Sequence, residues 1–271
     1  MYDISVAVPT FNSARYLENT LFSLVHQIGC RLEVVVADSG SVDETLNICG
    51  KYSIRTIFFP PGNMYAAINK ALFTCESTWL CYLNSDDIVY PSSYARLISY
   101  GESQNADIVY GSCDFIDNEG RYLHSYSPGR PNELRSQLLV SSLPFAQPAA
   151  IFRKKVYKQL DGFDERYNLT SDHDFYLRST LAGFKFAMLK GKSVCGFRIS
   201  STQLSQKTIM MREQTKQVCQ KYGKPTFKDY WLTGLWKIRN WPNYLIRLLR
   251  YKVMIGKYGL LRTTDVFSKK E

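Results

Sequence analysis

The sequence predicts an open α/β fold, in which a mostly parallel central sheet is flanked by helices. Two observations favour it. Strand-like apolar runs alternate with segments of helical periodicity along the first third of the chain, and at least one of these runs is apolar almost throughout. Continuous apolar strands are typical of parallel sheets buried on both faces, and repeated strand–helix units imply right-handed crossovers. Such sheets bind ligands beyond the carboxyl ends of their strands.

Apolar runs and their stop signals place the individual elements. Strands are predicted in the first part over residues 4–8, 32–37, 54–59 and 79–83. Helices are predicted after an N-cap at Ser13, through residues 46–48 and over residues 65–73. The second part is less regular, with strands predicted over 107–110, 113–117, 122–126 and 194–199, and helices over 152–160 and 172–181.

Charge and composition divide the chain near residue 205. Residues 1–205 carry 19 Lys and Arg against 20 Asp and Glu, whereas residues 206–271 carry 15 against 4. The second segment interleaves its basic residues with Trp231, Trp236, Trp241, Tyr244 and Tyr251. We therefore predict a domain over 1–205 and a basic aromatic helical extension over 206–271.

Three interpretations of this extension are open. It could be a helix that packs on the domain and leaves a basic face in solvent. It could lie at a membrane surface, where indole rings suit the interface and each Lys or Arg gains roughly 1 kcal/mol near anionic lipid. It could bind an acidic polymer such as nucleic acid. We favour the membrane surface, because polymer binding would leave the acidic strand ends of the domain unexplained.

Cysteine usage and the N-terminal residues predict a cytoplasmic protein. The seven cysteines lie mostly in apolar stretches, without a CxxC pair or a Cys/His group at zinc spacing. The first residues lack the pattern of a signal peptide, and no run of about 18 apolar residues predicts a spanning helix. We expect a cytoplasmic location, with peripheral contact on the inner face of the cell membrane.

Acidic side chains directly follow two predicted strands. Asp38 closes the strand 32–37, and Asp86 and Asp87 follow the strand 79–83. Adjacent carboxylates repel each other unless a cation compensates, and their hard oxygens suit Mg²⁺ or Mn²⁺. A solvated turn or a helix cap is the simpler interpretation of the dipeptide alone. Because two strands end this way, the rim of the sheet is predicted to hold a metal-bridged nucleotide diphosphate.

A further acidic group begins the predicted helix 172–181. Asp172 or Asp174 could merely cap this helix, and His173 is more simply a partly buried histidine than a metal ligand. The functional interpretation is a general base, because a carboxylate that faces the reaction site can accept the proton of an attacking hydroxyl.

Six segments, in this order, resemble the motifs of family 2 glycosyltransferases. They are Val8-Pro9-Thr10-Phe11-Asn12, Asp38-Ser39-Gly40-Ser41-Val42-Asp43, Gly62-Asn63-Met64-Tyr65-Ala66-Ala67-Ile68-Asn69-Lys70-Ala71, Asn84-Ser85-Asp86-Asp87, Gly162-Phe163-Asp164-Glu165 and Asp172-His173-Asp174-Phe175-Tyr176-Leu177-Arg178. The resemblance covers about residues 3–205. It implies a GT-A fold, in which a nucleotide-binding α/β sheet merges with an acceptor-binding half, and it makes residues 1–205 the catalytic domain.

The resemblance also implies a reaction and its residues. The reaction would be a metal-dependent, inverting transfer of a sugar from a nucleotide-sugar donor, usually UDP-linked, to an acceptor hydroxyl. The nucleotide would contact Pro9, Thr10, Phe11, Asn12, Asp38, Asn63, Met64, Asn69 and Asp86. Asp87 and Asp86 would hold Mn²⁺ or Mg²⁺, and Asp172 would be the catalytic base. With the basic extension, this favours a lipid-linked glycan acceptor in O-antigen or capsule polysaccharide biosynthesis, and no nucleic-acid partner.

The chain departs from the family pattern at several positions. Asn84 replaces the first acid of the strand-end motif, Ser171 replaces the acid before the base, and Gln147-Pro148 stands where some relatives have His-Gln. A mobile loop over the diphosphate would include Arg198, Ser200 and Gln203. A nucleotidyltransferase on a related sheet is disfavoured, because no Gly-rich phosphate loop follows the first strand.

Overall fold

The computed structural model describes residues 2–199 and 208–241. The strands are β1 (Ile4–Thr10), β2 (Leu32–Asp38), β3 (Arg55–Phe58), β4 (Trp79–Tyr82), β5 (Ile88–Val89), β6 (Ile108–Tyr110), β7 (Cys113–Ile116), β8 (Tyr122–Tyr126), β9 (Ala150–Arg153), β10 (Phe186–Met188) and β11 (Cys195–Arg198). The helices are α1 (Ala14–Val25), α2 (Thr45–Lys51), α3 (Met64–Phe73), α4 (Ser93–Ser103), α5 (Leu134–Leu139), α6 (Lys154–Gln159), α7 (Ser171–Leu181), α8 (Thr208–Tyr222) and α9 (Phe227–Arg239).

A seven-stranded sheet forms the centre of the domain, in the order β10-β6-β9-β4-β1-β2-β3. Its neighbouring strands run parallel except for β9, which is antiparallel to both β4 and β6. The chain moves outward from β1 through β2 to β3 and then returns to the other side of β1 with β4. Open α/β sheets bind ligands in the crevice at such a reversal, beyond the carboxyl ends of the strands. The predicted α/β class is confirmed.

Both faces of the central sheet are buried. Val6 and Val8 of β1 pack with Leu17 and Leu21 of α1 on one face, and Ala7 packs with α3 on the other. Burial on both faces is the reason that β1 and β2 are almost entirely apolar, instead of alternating between apolar and polar residues.

A smaller sheet, in the order β5-β11-β7-β8, lies beside the carboxyl end of β4. β11 is parallel to β7 and antiparallel to β5, and β7 and β8 form the hairpin that the sequence predicts. Because β5 directly follows Asp86 and Asp87, this sheet is attached to the strand-end motif of the central sheet.

The predicted helix over residues 152–160 is wrong in its first part. Residues 150–153 form strand β9, and only residues 154–159 form helix α6. A short buried apolar run is compatible with either state, and β9 is fixed by pairing with β4 and β6, which lie far away along the chain.

The N-terminus of α1 is capped differently from the prediction. Ser13 occupies the N-cap position, but its Oγ accepts a hydrogen bond from the Phe11 N–H and not from the helix. The Ala14 N–H donates instead to Asp43 Oδ2, at 3.1 Å. A carboxylate from the loop after β2 therefore stabilises the start of α1.

The described part of the basic extension packs on the domain. Val218 of α8 lies in the apolar core, and Tyr222 donates a hydrogen bond to Asp174 Oδ1 at 2.9 Å. Arg239 of α9 forms two hydrogen bonds with the Glu133 carboxylate, at 2.6 and 2.8 Å. None of the helices within residues 2–199 and 208–241 has the length and apolar content that a bilayer crossing needs.

The boundary at residue 205 stays a prediction. The described residues do not include Ser200, Gln203, Tyr244 or Tyr251, which the sequence analysis names.

Candidate active site

The residues that the sequence predicts for the site gather at the carboxyl edge of the central sheet. β1, β2 and β4 are adjacent and parallel, so the segments that follow them leave the sheet at one edge. A hydrogen bond of 3.0 Å from Ser85 Oγ to Ser13 Oγ joins the segment after β4 to the segment after β1. Asp172 is connected to this edge by a hydrogen bond with Tyr65 of α3. The segments that carry the predicted carboxylates therefore meet at one edge of the sheet.

The loops after β1 and β2 form a shelf at this edge. The Val42 N–H donates to Asn12 Oδ1 at 2.9 Å, and the Asn12 N–H donates to Ser41 Oγ at 2.9 Å. Asn12 has a φ of 48°, a left-handed conformation that Asn adopts more readily than most residues. The shelf holds Phe11 with 57% of its surface exposed, so its ring is available to stack on a nucleotide base.

Asp38 and Thr10 form the floor of the shelf. β1 continues through Pro9 to Thr10, although proline has no N–H. Pairing of β1 with β4 ends at Ala7 and Tyr82, so β4 has no carbonyl beside Pro9 that needs this N–H. Asp38 Oδ1 accepts hydrogen bonds from Thr10 Oγ1 at 2.8 Å and from Ser41 Oγ at 2.5 Å, and Oδ2 accepts from the N–H groups of residues 40–41 at 3.0 and 2.9 Å, which fills the four acceptor positions of the carboxylate. A bond from a base imide to Asp38 would replace one of these bonds, and the predicted contact stays a prediction.

Asn63 begins helix α3 at the same edge. Its Oδ1 accepts hydrogen bonds from the N–H groups of Tyr65 and Ala66, at 3.1 and 3.2 Å, which caps the helix. Its Nδ2 donates to the Glu165 carbonyl at 2.7 Å. The next residue, Met64, is half-buried against the core. Asn63 thus joins α3 to the loop before α7, and nucleotide contacts by Asn63 and Met64 stay predictions.

Asn69 has a structural role that the sequence does not predict. Its Oδ1 accepts hydrogen bonds from the Tyr157 hydroxyl and the Phe163 N–H, and its Nδ2 donates to the Phe163 carbonyl and to Glu165 Oε1. The side chain is 5% exposed. Because every polar atom of Asn69 already holds the loop over residues 162–165, the predicted nucleotide contact is not supported.

Asp87 faces the protein interior, and its role as a metal ligand stays a prediction. Asp87 is fully buried; its Oδ1 accepts from the Arg198 N–H at 2.8 Å and its Oδ2 from Asn84 Nδ2 at 3.3 Å. Burial, and then the neighbouring charge of Asp86, raise the pKa of Asp87 well above its usual value. The second acid of the motif therefore anchors β11 to the end of β4.

Asp86 is the more accessible carboxylate of this motif, and it can hold an ion. Within residues 2–199 and 208–241, no group of three or more His, Cys, Asp or Glu side chains could hold a metal by itself. Mg²⁺ is commonly bound by one or two carboxylates together with substrate phosphates. Half-buried Asp86 fits that arrangement, so a divalent ion here would be held by Asp86 and the diphosphate of the donor.

The family resemblance implies that Arg198 lies in a loop over the diphosphate. In the structure it lies instead under the strand-end motif. It is the last residue of β11 and is 2% exposed. Its Nε donates to the Asp86 carbonyl, and its Nη1 donates to the carbonyls of Asp117 and Asn118, all at 2.8 Å. Its guanidinium also lies 4.5 Å from the centre of the Tyr16 ring. Arg198 therefore holds Asp86 in place from below.

Replacing Arg198 by Lys is expected to lower the free energy of unfolding by roughly 3 kcal/mol, because an ammonium cannot span three carbonyls in the fork geometry of a guanidinium. Chemical denaturation measures this loss. Arg31→Lys is the control, since Arg31 forms an exposed ion pair with Asp3 and should leave stability nearly unchanged. Equal, small losses in the two variants would contradict the anchoring role of Arg198.

Asp172 lies in the first turn of α7, and its role as a general base stays a prediction. Its Oδ1 accepts a hydrogen bond from the His173 N–H at 2.8 Å, and its carboxyl is also bonded by the Tyr65 hydroxyl. Burial raises the pKa of Asp172 and outweighs these two hydrogen bonds, which lower it. A raised pKa strengthens a carboxylate as a proton acceptor near neutral pH.

His173, the next residue, is structural. It is 4% exposed, and its Nε2 donates to the Leu138 carbonyl of α5 at 2.8 Å. Burial lowers the pKa of His173 to about 4, so the ring is neutral at pH 7. His173 is therefore buried in the interior, and not a partly buried surface residue as the simpler interpretation expects.

Three buried tyrosines surround Asp172, and the sequence gives no signal for them beyond their place in apolar segments. Tyr82, at the end of β4, hydrogen-bonds the Tyr65 hydroxyl, which in turn hydrogen-bonds Asp172. Tyr176 lies one turn after Asp172 on α7, and its hydroxyl has no hydrogen-bond partner among the described residues. Tyr65 lies two residues after the Asn63 cap, so one helix end carries both a predicted nucleotide-contact residue and the tyrosine that contacts Asp172.

Tyr65→Phe is expected to move the acid limb of the kcat/KM–pH profile to higher pH. The Tyr65 hydrogen bond lowers the pKa of Asp172, so its loss raises that pKa further and more alkaline solution is needed to ionise Asp172. A pH profile of both proteins measures the shift. Tyr94→Phe, a buried tyrosine on the opposite face of the sheet, is the matched control and should leave the limb in place. An unmoved limb in Tyr65→Phe would exclude the coupling.

Solved structures with the same fold support this description. The mannosyltransferase from Pyrobaculum calidifontis, in complex with GDP-Man and Mn²⁺, matches with a TM-score of 0.63 and 16% identity over 96% of this chain and 76% of that chain. The S. aureus TarS 1-349 fragment in complex with UDP matches with a TM-score of 0.56 and 22% identity, over 78% of this chain and 65% of that chain. The GT-A-like fold, with a mostly parallel sheet flanked by helices, is therefore confirmed.

Sequence comparisons agree with the structural ones. A PGL/p-HBAD biosynthesis glycosyltransferase of Mycobacterium bovis is 28% identical over 182 residues, which cover 64% of this chain and 68% of the relative. An uncharacterized glycosyltransferase of Rickettsia bellii is 26% identical over 188 residues, and the match spans only 27% of that protein's length. The model of the family "Glycosyl transferase family 2" matches residues 5–161, more than half of the 271 residues. The chain therefore belongs to glycosyl transferase family 2.

Proposed function

We propose that this glycosyltransferase moves a sugar from a UDP-sugar donor to an acceptor hydroxyl in a metal-dependent reaction that inverts the anomeric configuration. The observation that carries the proposal is the pair of carboxylates around the crevice: Asp86, fixed at the end of β4 by Arg198, and Asp172, bonded by Tyr65. One carboxylate is suited to a cation beside a diphosphate, and the other is suited to accept a proton.

The shelf after β1 and β2 would hold the nucleoside. Phe11 would stack on the base, with Pro9, Thr10, Asn12 and Asp38 shaping the shelf around it. The diphosphate would then extend toward Asp86 across the crevice between β1 and β4. Mn²⁺ or Mg²⁺, held by Asp86 and the phosphates, would offset the negative charge that develops on the departing diphosphate.

The reaction would be a single displacement. The acceptor oxygen forms a bond to the anomeric carbon while the bond between that carbon and the diphosphate oxygen breaks, and Asp172 accepts the hydroxyl proton. The nucleoside diphosphate leaves with the bonding electron pair. Because the oxygen attacks opposite the leaving group, the anomeric configuration inverts.

Relatives support the donor class more directly than the acceptor. TarS structures contain UDP and UDP-GlcNAc, and the Pyrobaculum enzyme contains GDP-Man with Mn²⁺. For the acceptor we propose a lipid-linked glycan of surface-polysaccharide biosynthesis, such as O-antigen or capsule. The protein would act in the cytoplasm, peripherally on the inner face of the cell membrane. The basic aromatic composition of residues 206–271 supports this location.

A donor screen tests the proposed function. A panel of UDP-, GDP- and dTDP-sugars is titrated into the protein with and without Mn²⁺, and binding and donor hydrolysis are measured. We expect a UDP-sugar to bind, with an affinity that depends on Mn²⁺. No response to any donor would refute the nucleotide-sugar proposal, and a salt-dependent affinity for RNA in the same assay would favour the alternative of an acidic-polymer binding protein.

A further inference from the structure

Helix α9 has two apolar faces, and only one of them packs against other residues that the structure describes. On the packed face, Trp236 is 8% exposed and lies 6.0 Å from the Tyr126 ring of the smaller sheet, centre to centre. The same helix is attached to α5 by two side chains. Arg239 pairs with Glu133, the residue before α5, and Asp229 accepts a 2.7 Å hydrogen bond from Ser136 Oγ of α5. Trp236, which the sequence places among the surface aromatics of the extension, is therefore a buried anchor.

The opposite face of α9 is aromatic and exposed. We call it the α9 stripe, and it consists of Phe227, Tyr230, Trp231 and Ile238. These side chains have between 56% and 85% of their surface exposed. At 3.6 residues per turn, the four positions fall within an arc of about 100°, on the side away from Trp236. Trp241, 56% exposed, lies two residues after the last residue of the helix.

Basic side chains border the stripe. Lys228 and Lys237 are exposed and lie on its two sides, and exposed Lys224 precedes the helix. The single acidic residue of α9 is Asp229, whose carboxylate is bonded to Ser136 and Thr226 on the packed side. The exposed half of α9 therefore combines aromatic rings with positive charge only.

We propose that the α9 stripe is a docking surface for an anionic lipid bilayer. The aromatic rings enter the headgroup boundary, while the lysines extend from both edges of the stripe to the lipid phosphates. A second copy of the chain fits this face less well, because two stripes in contact would bring lysines against lysines. The inference rests on the proposed function in one respect: an acceptor attached to lipid requires the enzyme at a membrane surface.

The packed face of α9 also fixes the orientation of the docked enzyme. Because α9 contacts α5 and the β8 strand on the side away from the stripe, docking holds the smaller sheet near the membrane. That sheet is attached to the motif that contains Asp86. Docking would thus hold the crevice at a set distance from the lipid surface, whereas an undocked enzyme would diffuse freely.

Vesicle binding of the full chain tests the docking surface. The probes are vesicles of phosphatidylcholine alone and of phosphatidylcholine mixed with phosphatidylglycerol, and binding is measured by flotation and by tryptophan fluorescence. We expect binding to the anionic vesicles, a weakening of about fivefold for each of Lys228→Gln and Lys237→Gln, and a weakening of at least about tenfold for Phe227→Ala and for Trp231→Ala. Phe22→Ala is the matched control, because Phe22 is 54% exposed on α1, away from the stripe, and should leave binding unchanged.

Several results would overturn the docking surface. Anionic vesicle binding that is unchanged in Phe227→Ala and Trp231→Ala would place the contact elsewhere in the chain. Absence of vesicle binding, with self-association that depends on Trp231, would assign the stripe to a second copy. The donor affinity of the wild-type chain is measured separately, without lipid. Absence of donor binding in a chain that binds anionic vesicles would refute the proposed function. Absence of vesicle binding in a chain that binds donor would refute the α9 stripe as a docking surface.

Discussion

Asp172→Asn is expected to reduce the rate of sugar transfer by about 10²–10⁴-fold and to leave donor affinity nearly unchanged. The amide keeps the size of the side chain and can still accept a hydrogen bond from Tyr65, but it cannot take up the proton of an attacking hydroxyl. The rate loss therefore belongs to the chemical step. Steady-state kinetics measures kcat, and calorimetric titration of the nucleotide sugar measures the donor Kd.

Asp107→Asn is the matched control for this substitution. Asp107 forms an ion pair with Lys155 at the amino edge of the central sheet, away from the crevice, so transfer should continue at the wild-type rate. Full activity of Asp172→Asn would remove Asp172 from the role of base. A parallel loss of donor binding would indicate that Asp172 positions the donor instead of activating the acceptor.

Asp86→Ala is expected to lower kcat/KM by about 10²–10³-fold and to remove the dependence of donor binding on Mn²⁺. The fold should be preserved, because Arg198 contacts the backbone carbonyl of Asp86, which alanine retains. Titrations of donor in the presence and absence of Mn²⁺, together with thermal unfolding, separate the two properties.

Asp87→Ala should lower stability and leave the dependence of donor binding on Mn²⁺ in place. This substitution leaves the buried Arg198 N–H and the Asn84 amide without their acceptor, and it is expected to lower the free energy of unfolding by roughly 2–4 kcal/mol. Donor binding by the molecules that remain folded should still respond to Mn²⁺. A well-folded Asp87→Ala protein that had lost its metal response would restore Asp87 as the metal ligand and contradict our assignment to Asp86.

The sequence predicts the central sheet because its strands have a local signal. β1 and β2 are apolar runs that polar loops terminate, and burial on both faces makes that pattern hard to mistake. β9 has no such signal. It is four residues long, and its place between β4 and β6 depends on partners that lie about 40 to 70 residues away along the chain.

The candidate site divides in the same way. Motif order places Asp38, Asp86 and Asp172 at one edge, since each follows or begins a recognisable element. The direction in which neighbouring side chains face cannot be read from a dipeptide: Asp86 borders the crevice, whereas Asp87 turns inward to a partner 111 residues away. The tyrosine pair behind Asp172 and the carbonyl contacts of Arg198 likewise form only when distant segments pack together.

The location of the bound ion tests the central claim most directly. A crystal of the protein grown with UDP and Mn²⁺ is measured near the manganese absorption edge, where the anomalous signal identifies the ion. We expect one strong peak within about 2–2.3 Å of a carboxylate oxygen of Asp86 and of the diphosphate, with the uracil ring stacked on Phe11. A peak beside Asp87 and not Asp86, or a nucleotide bound away from the crevice between β1 and β4, would contradict this account.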